Sequence, residues 1–172
     1  MSLSLARKLL RFSAAALVLT LLGPSTVLAA KQTGKEKESS IKMKYAYVGC
    51  RTTAKRYAHG KGISVYTIDD KGEWKRQAIV PTLDNPAFLT LDREQKALYT
   101  VHGDGHQVSA FKILPDGNLE PLNTVDAQGK NPVYAVPSFN NRFLFVASLQ
   151  GGAVASLPIR EDGSLGEAVS TV

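Results

Sequence analysis

The chain has 172 residues, of which 44% are hydrophobic and 21% are charged, a composition typical of one globular domain. Its net charge of +6 does not indicate a nucleic-acid-binding surface, because residues 45–172 carry 13 basic and 13 acidic side chains. The only cysteine, Cys50, excludes an intramolecular disulfide, and we expect it to be a buried small residue rather than a nucleophile.

Residues 1–29 have the three parts of a secretory signal peptide. Residues 7–11 carry three basic side chains, residues 12–22 are mostly apolar, and residues 27–29 (VLA) form a small-x-small cleavage sequence. The apolar run is shorter than the roughly 20 residues that span a bilayer. We therefore expect cleavage, export to the periplasm or the medium, and no membrane attachment afterwards; an uncleaved anchor is the alternative. Residues 30–44, with five Lys and two Glu, are predicted to form a flexible basic leader.

The rest of the chain repeats itself. Residues 85–121 align with residues 131–167 at an offset of 46 without a gap, and residues 63–72 belong to a partial third copy. Repeats of this length that consist of short strands predict the blades of a β-propeller. The second copy is predicted to have strands at about 86–91, 96–102, 107–113 and 119–125. Since no segment after residue 30 has a sustained helical period, the predicted fold class is all-β, with blades of four antiparallel strands.

Three blades are predicted, at about 45–82, 83–127 and 129–172. The first lacks its first strand and the third ends within its fourth, so the ring is predicted to be incomplete. Propellers usually close with four to eight blades, which removes open sheet edges. We favour a fragment of a longer chain over the alternative that several copies complete one ring. Open edges also predict self-association.

Several segments resemble the lactonase family of seven-bladed β-propellers, typified by the propeller-type 6-phosphogluconolactonase. They are residues 45–53 (YAYVGCRTT), 62–66 (GISVY), 85–89 (NPAFL), 144–147 (LFVA) and 162–167 (DGSLGE). The resemblance covers residues 45–172 and implies hydrolysis of a small sugar lactone without a cofactor. The His and Arg residues that are suspected of catalysis in the family follow the part that this chain covers, so none is carried over.

Two positions of the chain depart from the pattern of the family that it resembles. Tyr134 stands where the family often has His, and Ser148-Leu149 stands where it often has Asn-Tyr. A phosphorylated sugar lactone is a cytoplasmic metabolite, so an exported member is expected to meet unphosphorylated lactones or another ligand. The two functional hypotheses are a lactone hydrolase and a non-catalytic propeller fragment that binds a ligand or a protein.

Lactone hydrolysis needs a base that activates water and donors or cations that stabilise an oxyanion. His102, at a predicted strand end, is the candidate base, and Arg51 and His106 are candidate substrate-binding residues. His102, Asp104 and His106 lie within five residues and could ligate a metal, but the Asp104-Gly105 pair is also typical of a turn. We favour the turn and predict no metal site.

Two further features have competing interpretations. The loop around His59 contains several basic residues and is interpreted as a solvated loop, with anion binding as the alternative. Trp74, the only tryptophan, takes the position of Leu119 and Leu165 in the repeat, so we expect it to pack between blades.

Overall fold

The computed structural model describes residues 44–172, so the predicted signal peptide and all but the last residue of the predicted leader lie outside the described residues. The described residues form eleven strands in three antiparallel sheets, which confirms the all-β fold class, and one short 3₁₀ helix at Ala54–Arg56. Within residues 44–172, no helix is long and apolar enough to cross a membrane.

Each sheet is one blade, and its strands are hydrogen-bonded to one another in chain order. Blade 1 has β1 (Tyr45–Val48), β2 (Ile63–Ile68) and β3 (Trp74–Val80). Blade 2 has β4 (Pro86–Leu91), β5 (Ala97–His102), β6 (Gln107–Ile113) and β7 (Leu119–Asp126). Blade 3 has β8 (Lys130–Pro137), β9 (Phe143–Gln150), β10 (Val154–Pro158) and β11 (Ser170–Thr171). The four strands predicted in the second repeat agree with β4–β7 within one residue.

The blades pack face to face through two apolar clusters. Tyr99 and Val101 of blade 2 pack with Leu144 and Leu157 of blade 3, and all four are fully buried. A second cluster joins blade 1 to the other face of blade 2 through side chains such as Ile63. Because successive residues of a strand point to opposite faces, one strand supplies both clusters, and full burial of each such side chain contributes about 1.5–3 kcal/mol.

A tyrosine hydroxyl donates a hydrogen bond across the interface of each pair of neighbouring blades. Tyr47 of blade 1 donates to the carbonyl oxygen of Gly117 in blade 2 (2.9 Å), and Tyr99 of blade 2 donates to that of Gly163 in blade 3 (3.1 Å). Burial raises the pKa of both hydroxyls, so they stay protonated donors. Gly117 also leaves room for the neighbouring ring of Tyr45: its φ is +82°, and a Cβ there would lie 2.3 Å from that ring.

The expectation that Trp74 packs between blades is wrong. Trp74 is 55% exposed and contacts the ring of Tyr66 at a centroid distance of 5.6 Å. Leu119 packs in the cluster with blade 1, and Leu165 packs in the cluster with blade 2, so this position faces the preceding blade. No blade precedes blade 1 among the described residues, and Trp74 is therefore left on an open face.

Candidate functional site

Three connecting segments meet at one end of the blades, which we call the loop end. They are the β1–β2 loop (49–62), the β3–β4 connection (81–85) and the β5–β6 loop (103–106). Between them lies a cavity of about 400 Å³ whose polar lining includes Thr53, Lys55, Asp84, Asp104 and Gln107. Hydroxyl, amine, carboxylate and amide groups thus converge on a space of the size of a small-molecule site.

Arg51 and Asp104 join blade 1 to blade 2 across the loop end. The Nη1 of Arg51 donates to Oδ2 of Asp104 at 2.6 Å, and both side chains are about one third exposed. Asp104 lines the cavity, so the Arg51 guanidinium is bonded directly to a lining residue. A guanidinium carries five N–H donors, which leaves Arg51 with donors beyond those on Nη1 for an oxygen-rich ligand.

His102 is buried beneath the loop end, with only 1% of its surface exposed. Its Nδ1 lies 3.0 Å from the carbonyl oxygen of Asp84, and its Nε2 lies 2.8 Å from Oγ of Ser109. A carbonyl only accepts, so Nδ1 carries the proton and Nε2 accepts from Ser109. Burial lowers the pKa of His102, and the carbonyl bond opposes this shift. The neutral ring of His102 therefore bridges the β3–β4 connection and β6 through its two hydrogen bonds, and we call it the His102 strut. A role of His102 as a base stays a prediction.

His106, in the same loop, has a different environment. Its Nδ1 lies 2.8 Å from Oδ2 of Asp126 at the end of β7, and its Nε2 lies 3.2 Å from Nε2 of Gln107. His106 is 56% exposed. No role was assigned to Asp126 from the sequence. In the β6–β7 ladder Gln107 pairs with Asp126, and this register brings Asp126 next to His106, the residue before Gln107. Hairpin register was the signal that could have found it.

Two asparagines hold the connecting segments in place. The side-chain oxygen of Asn85 accepts from the backbone N–H of Thr52 (3.0 Å), and its amide donates to the carbonyl of Gly103 (3.1 Å). Asn131, one repeat later, accepts from the backbone N–H of Asp104 (2.9 Å). Both asparagines have φ near +53°, a left-handed conformation that Asn tolerates better than most residues. Each fixes the loop of the preceding blade against the start of the first strand of its own blade, β4 or β8.

The geometry of the loop bears on the metal-site alternative. Within residues 44–172, no three His, Cys, Asp or Glu side chains are grouped so that they could hold a metal ion. The two histidines of the loop are bonded to different groups, His102 to Asp84 and Ser109, and His106 to Asp126. Elsewhere, Cys50 is half-buried and donates to the carbonyl of Gly62 (3.0 Å), and His59 is exposed.

The positions that differ from the family pattern have distinct surroundings. Tyr134 of β8 is 49% exposed and packs against Phe88 of β4 with ring centroids 4.8 Å apart. Ser148 is 95% buried, since only 5% of it is exposed, and its hydroxyl has no hydrogen-bond partner among the described residues. Leu149 is 67% exposed. Ser148 takes the place of His102 in the repeat, so the His102 strut of blade 2 has no counterpart in blade 3.

A family model described as "Lactonase, 7-bladed beta-propeller" matches residues 45–172. The chain belongs to this family, which confirms the resemblance seen in the sequence. A 6-phosphogluconolactonase of Formosa agariphila is 30% identical over 115 residues, which make up 62% of this chain and 32% of that protein.

Solved structures have the same arrangement of blades. The periplasmic gluconolactonase PpgL of Pseudomonas aeruginosa is 31% identical, with a TM-score of 0.66 over 75% of this chain and 38% of that one. A Bacteroides fragilis protein provisionally assigned as a 6-phosphogluconolactonase is 26% identical, with a TM-score of 0.67 over 78% of this chain and 37% of that one. The chain thus spans about a third of the length of these relatives.

Proposed function

We propose that this protein takes part in the hydrolysis of a sugar lactone. The observation that carries the proposal is the lactonase family match over residues 45–172, together with relatives that are described as a 6-phosphogluconolactonase and a gluconolactonase. The loop-end cavity supports it, because hydroxyl, amide and carboxylate groups are the partners that sugar hydroxyls need.

Arg51 is the group proposed to stabilise the oxyanion. When water attacks the lactone carbonyl, negative charge develops on the carbonyl oxygen, and a fixed cation or donor at that point lowers the barrier. The hydrogen bond that Arg51 donates to Asp104, a lining residue of the cavity, holds the guanidinium in one orientation. Such fixed orientation is what gives a donor its effect, since no reorganisation is needed during the reaction.

The charge of the cavity favours an unphosphorylated lactone. Among the described lining residues, Lys55 is opposed by the carboxylates of Asp84 and Asp104, and His102 is neutral. Adding Arg51, a partner of Asp104, gives two positive and two negative groups among these residues, so they present no excess of positive charge to a phosphate dianion.

A continuous assay of acid release tests the proposal, with glucono-δ-lactone and its 6-phosphate as substrates. We expect a rate above spontaneous hydrolysis for the neutral lactone, and Arg51→Met is expected to lower kcat on the order of 10²-fold. Arg142→Met is the matched control, because Arg142 lies in the β8–β9 turn at the opposite end of the blades. A wild-type rate equal to the spontaneous rate would reject the function.

We also propose that the protein is exported and that its complete site combines these three blades with others of a seven-bladed ring. The signal-like sequence of residues 1–29 supports export. The coverage of only 38% of the length of PpgL supports a ring with further blades. Intact-mass measurement of the exported fraction tests both points. A mature N-terminus at Ala30 supports export, and a mass near that of residues 30–172 alone contradicts the larger ring.

A protein-binding scaffold is the second candidate. Trp74 on blade 1 and Phe145 and Val154 on blade 3 are 40–55% exposed, although the matching positions between blades are buried. Apolar side chains on two open sheet faces favour association with further blades or a partner. A monodisperse monomer by sedimentation velocity at high concentration would count against self-association.

A further inference from the structure

His106, Asp126 and Gln107 form a small network that the fold does not require. The carboxylate of Asp126 accepts from Nδ1 of His106 (2.8 Å), and it also accepts from the backbone N–H of Gln128 (2.6 Å). The carboxylate is therefore fixed from both sides. Gln107 contacts the other ring nitrogen and also lines the cavity, so it connects the pair to the proposed substrate site.

The hydrogen bonds define the tautomer of His106. An ionised carboxylate only accepts, so Nδ1 carries the proton. The side-chain oxygen of Gln107 accepts from the backbone N–H of His106 (3.2 Å), which directs the Gln107 amide nitrogen toward Nε2. Nε2 is therefore an unprotonated acceptor. A carboxylate that orients an imidazole in this tautomer is the arrangement that makes histidine an effective general base.

Comparison of the repeats distinguishes this network from the hydrogen bonds that build each blade. Asn85 recurs as Asn131, and the hydroxyl of Tyr47 recurs as that of Tyr99, because each blade must be fastened to the next. His106 falls on Gly152 in blade 3, so the network is confined to blade 2. A polar arrangement that one blade has and its repeat lacks is not needed to build a blade.

We propose that His106, oriented by Asp126, is the general base that activates water for lactone hydrolysis, which rests on the proposed function. Water replaces the long contact from Gln107 and gives its proton to Nε2, while its oxygen bonds to the lactone carbonyl carbon. The bond between this carbon and the ring oxygen then breaks, and the ring oxygen takes the proton from Nε2. The product is the open-chain aldonic acid, and His106 returns to its neutral form.

Asp126 is proposed as a positioning residue for His106. Its carboxylate only accepts, so it keeps the proton of the ring on Nδ1 and leaves Nε2 as the acceptor. The amide of Asp126→Asn can donate as well as accept, so this substitution would no longer fix the tautomer.

The test compares the full chain with His106→Gln and Asp126→Asn in the lactone assay across pH 5–8. We expect His106→Gln to lower kcat/KM on the order of 10²-fold or more and to remove the limb of the pH–rate profile that reflects an imidazole. Asp126→Asn should lower kcat by a smaller factor than His106→Gln, with little change in KM, because the ring stays in place while its tautomer is no longer fixed. His59→Gln is the matched control, since His59 is also an exposed loop histidine.

The outcomes separate the two proposals. Suppose that the wild type exceeds the spontaneous rate and that His106→Gln stays within twofold of the wild-type rate with the same pH–rate profile. The general-base assignment is then overturned and the function stands. If the wild type does not exceed the spontaneous rate, the function is rejected and the assignment falls with it. Since His106 and Asp126 are both more than 40% exposed, neither variant is expected to disturb folding, which circular dichroism checks.

Discussion

Blades 2 and 3 align over 37 residues without a gap, yet the loops that follow their second strands differ in chemistry. In blade 2 this loop runs from His102 through Asp104 to His106, and in blade 3 the same positions are Ser148, Gln150 and Gly152. The apolar positions that face the core are kept in both, because packing between blades requires them. The polar positions of this loop are not kept, so they are free to serve a site.

The same pair of blades shows what a buried polar group requires. In blade 2 the ring of His102 spans the gap between the Asp84 carbonyl and the Ser109 hydroxyl, so both ring nitrogens are satisfied. In blade 3 the shorter Ser148 is just as buried, but its hydroxyl has no partner among the described residues. Equal burial therefore has different energetic consequences in the two blades.

Removing the His102 ring should produce the largest change in stability. His102→Ala removes the ring from the Asp84 carbonyl and from the Ser109 hydroxyl, which keeps only its bond with Thr124, and it opens a cavity. We therefore expect a loss of about 2–4 kcal/mol in the free energy of unfolding. Urea denaturation measures it. Ser148→Ala is the control and is expected to change stability by less than about 1 kcal/mol, because the hydroxyl has no bond to lose. Equal losses in the two variants would remove the distinction between the blades.

Asn85→Gly should have the next largest effect. Glycine keeps the left-handed backbone at this position but loses the side-chain bonds to Thr52, Thr53 and Gly103. We expect a loss of about 2 kcal/mol in the free energy of unfolding, together with faster hydrogen exchange in the β1–β2 loop. A stability equal to that of the wild type would show that backbone conformation, rather than the amide bonds, explains Asn at this position.

The smallest effect is expected from pH. Burial lowers the pKa of His102 in the folded state, whereas the unfolded chain has an ordinary histidine pKa near about 6.5. The contribution of His102 is therefore fully present above about pH 6.5 and is lost as the pH falls through the lower folded pKa. Unfolding curves between pH 7.5 and 5 should show this loss in the wild type and a smaller one in His102→Gln. The same slope in both proteins would contradict a neutral buried ring.

The sequence by itself determined the class of fold, the number of blades and the family. Alternation along strands such as β6, the Asp-Gly and Asn-Pro turns, and the gapless repeat are local properties, and local properties specify strands and their order. It also identified Arg51, His102 and His106 as residues with unusual chemistry for their positions.

Only the tertiary structure decided what these residues contact. It placed His102 in a buried strut, Arg51 against Asp104 across two blades, and His106 against Asp126 across a hairpin. It also left Trp74 on an open face, although Leu119 and Leu165 at the same repeat position are buried. The physical reason is that burial and hydrogen bonding depend on the neighbouring blade, whereas a repeated sequence describes only the blade itself.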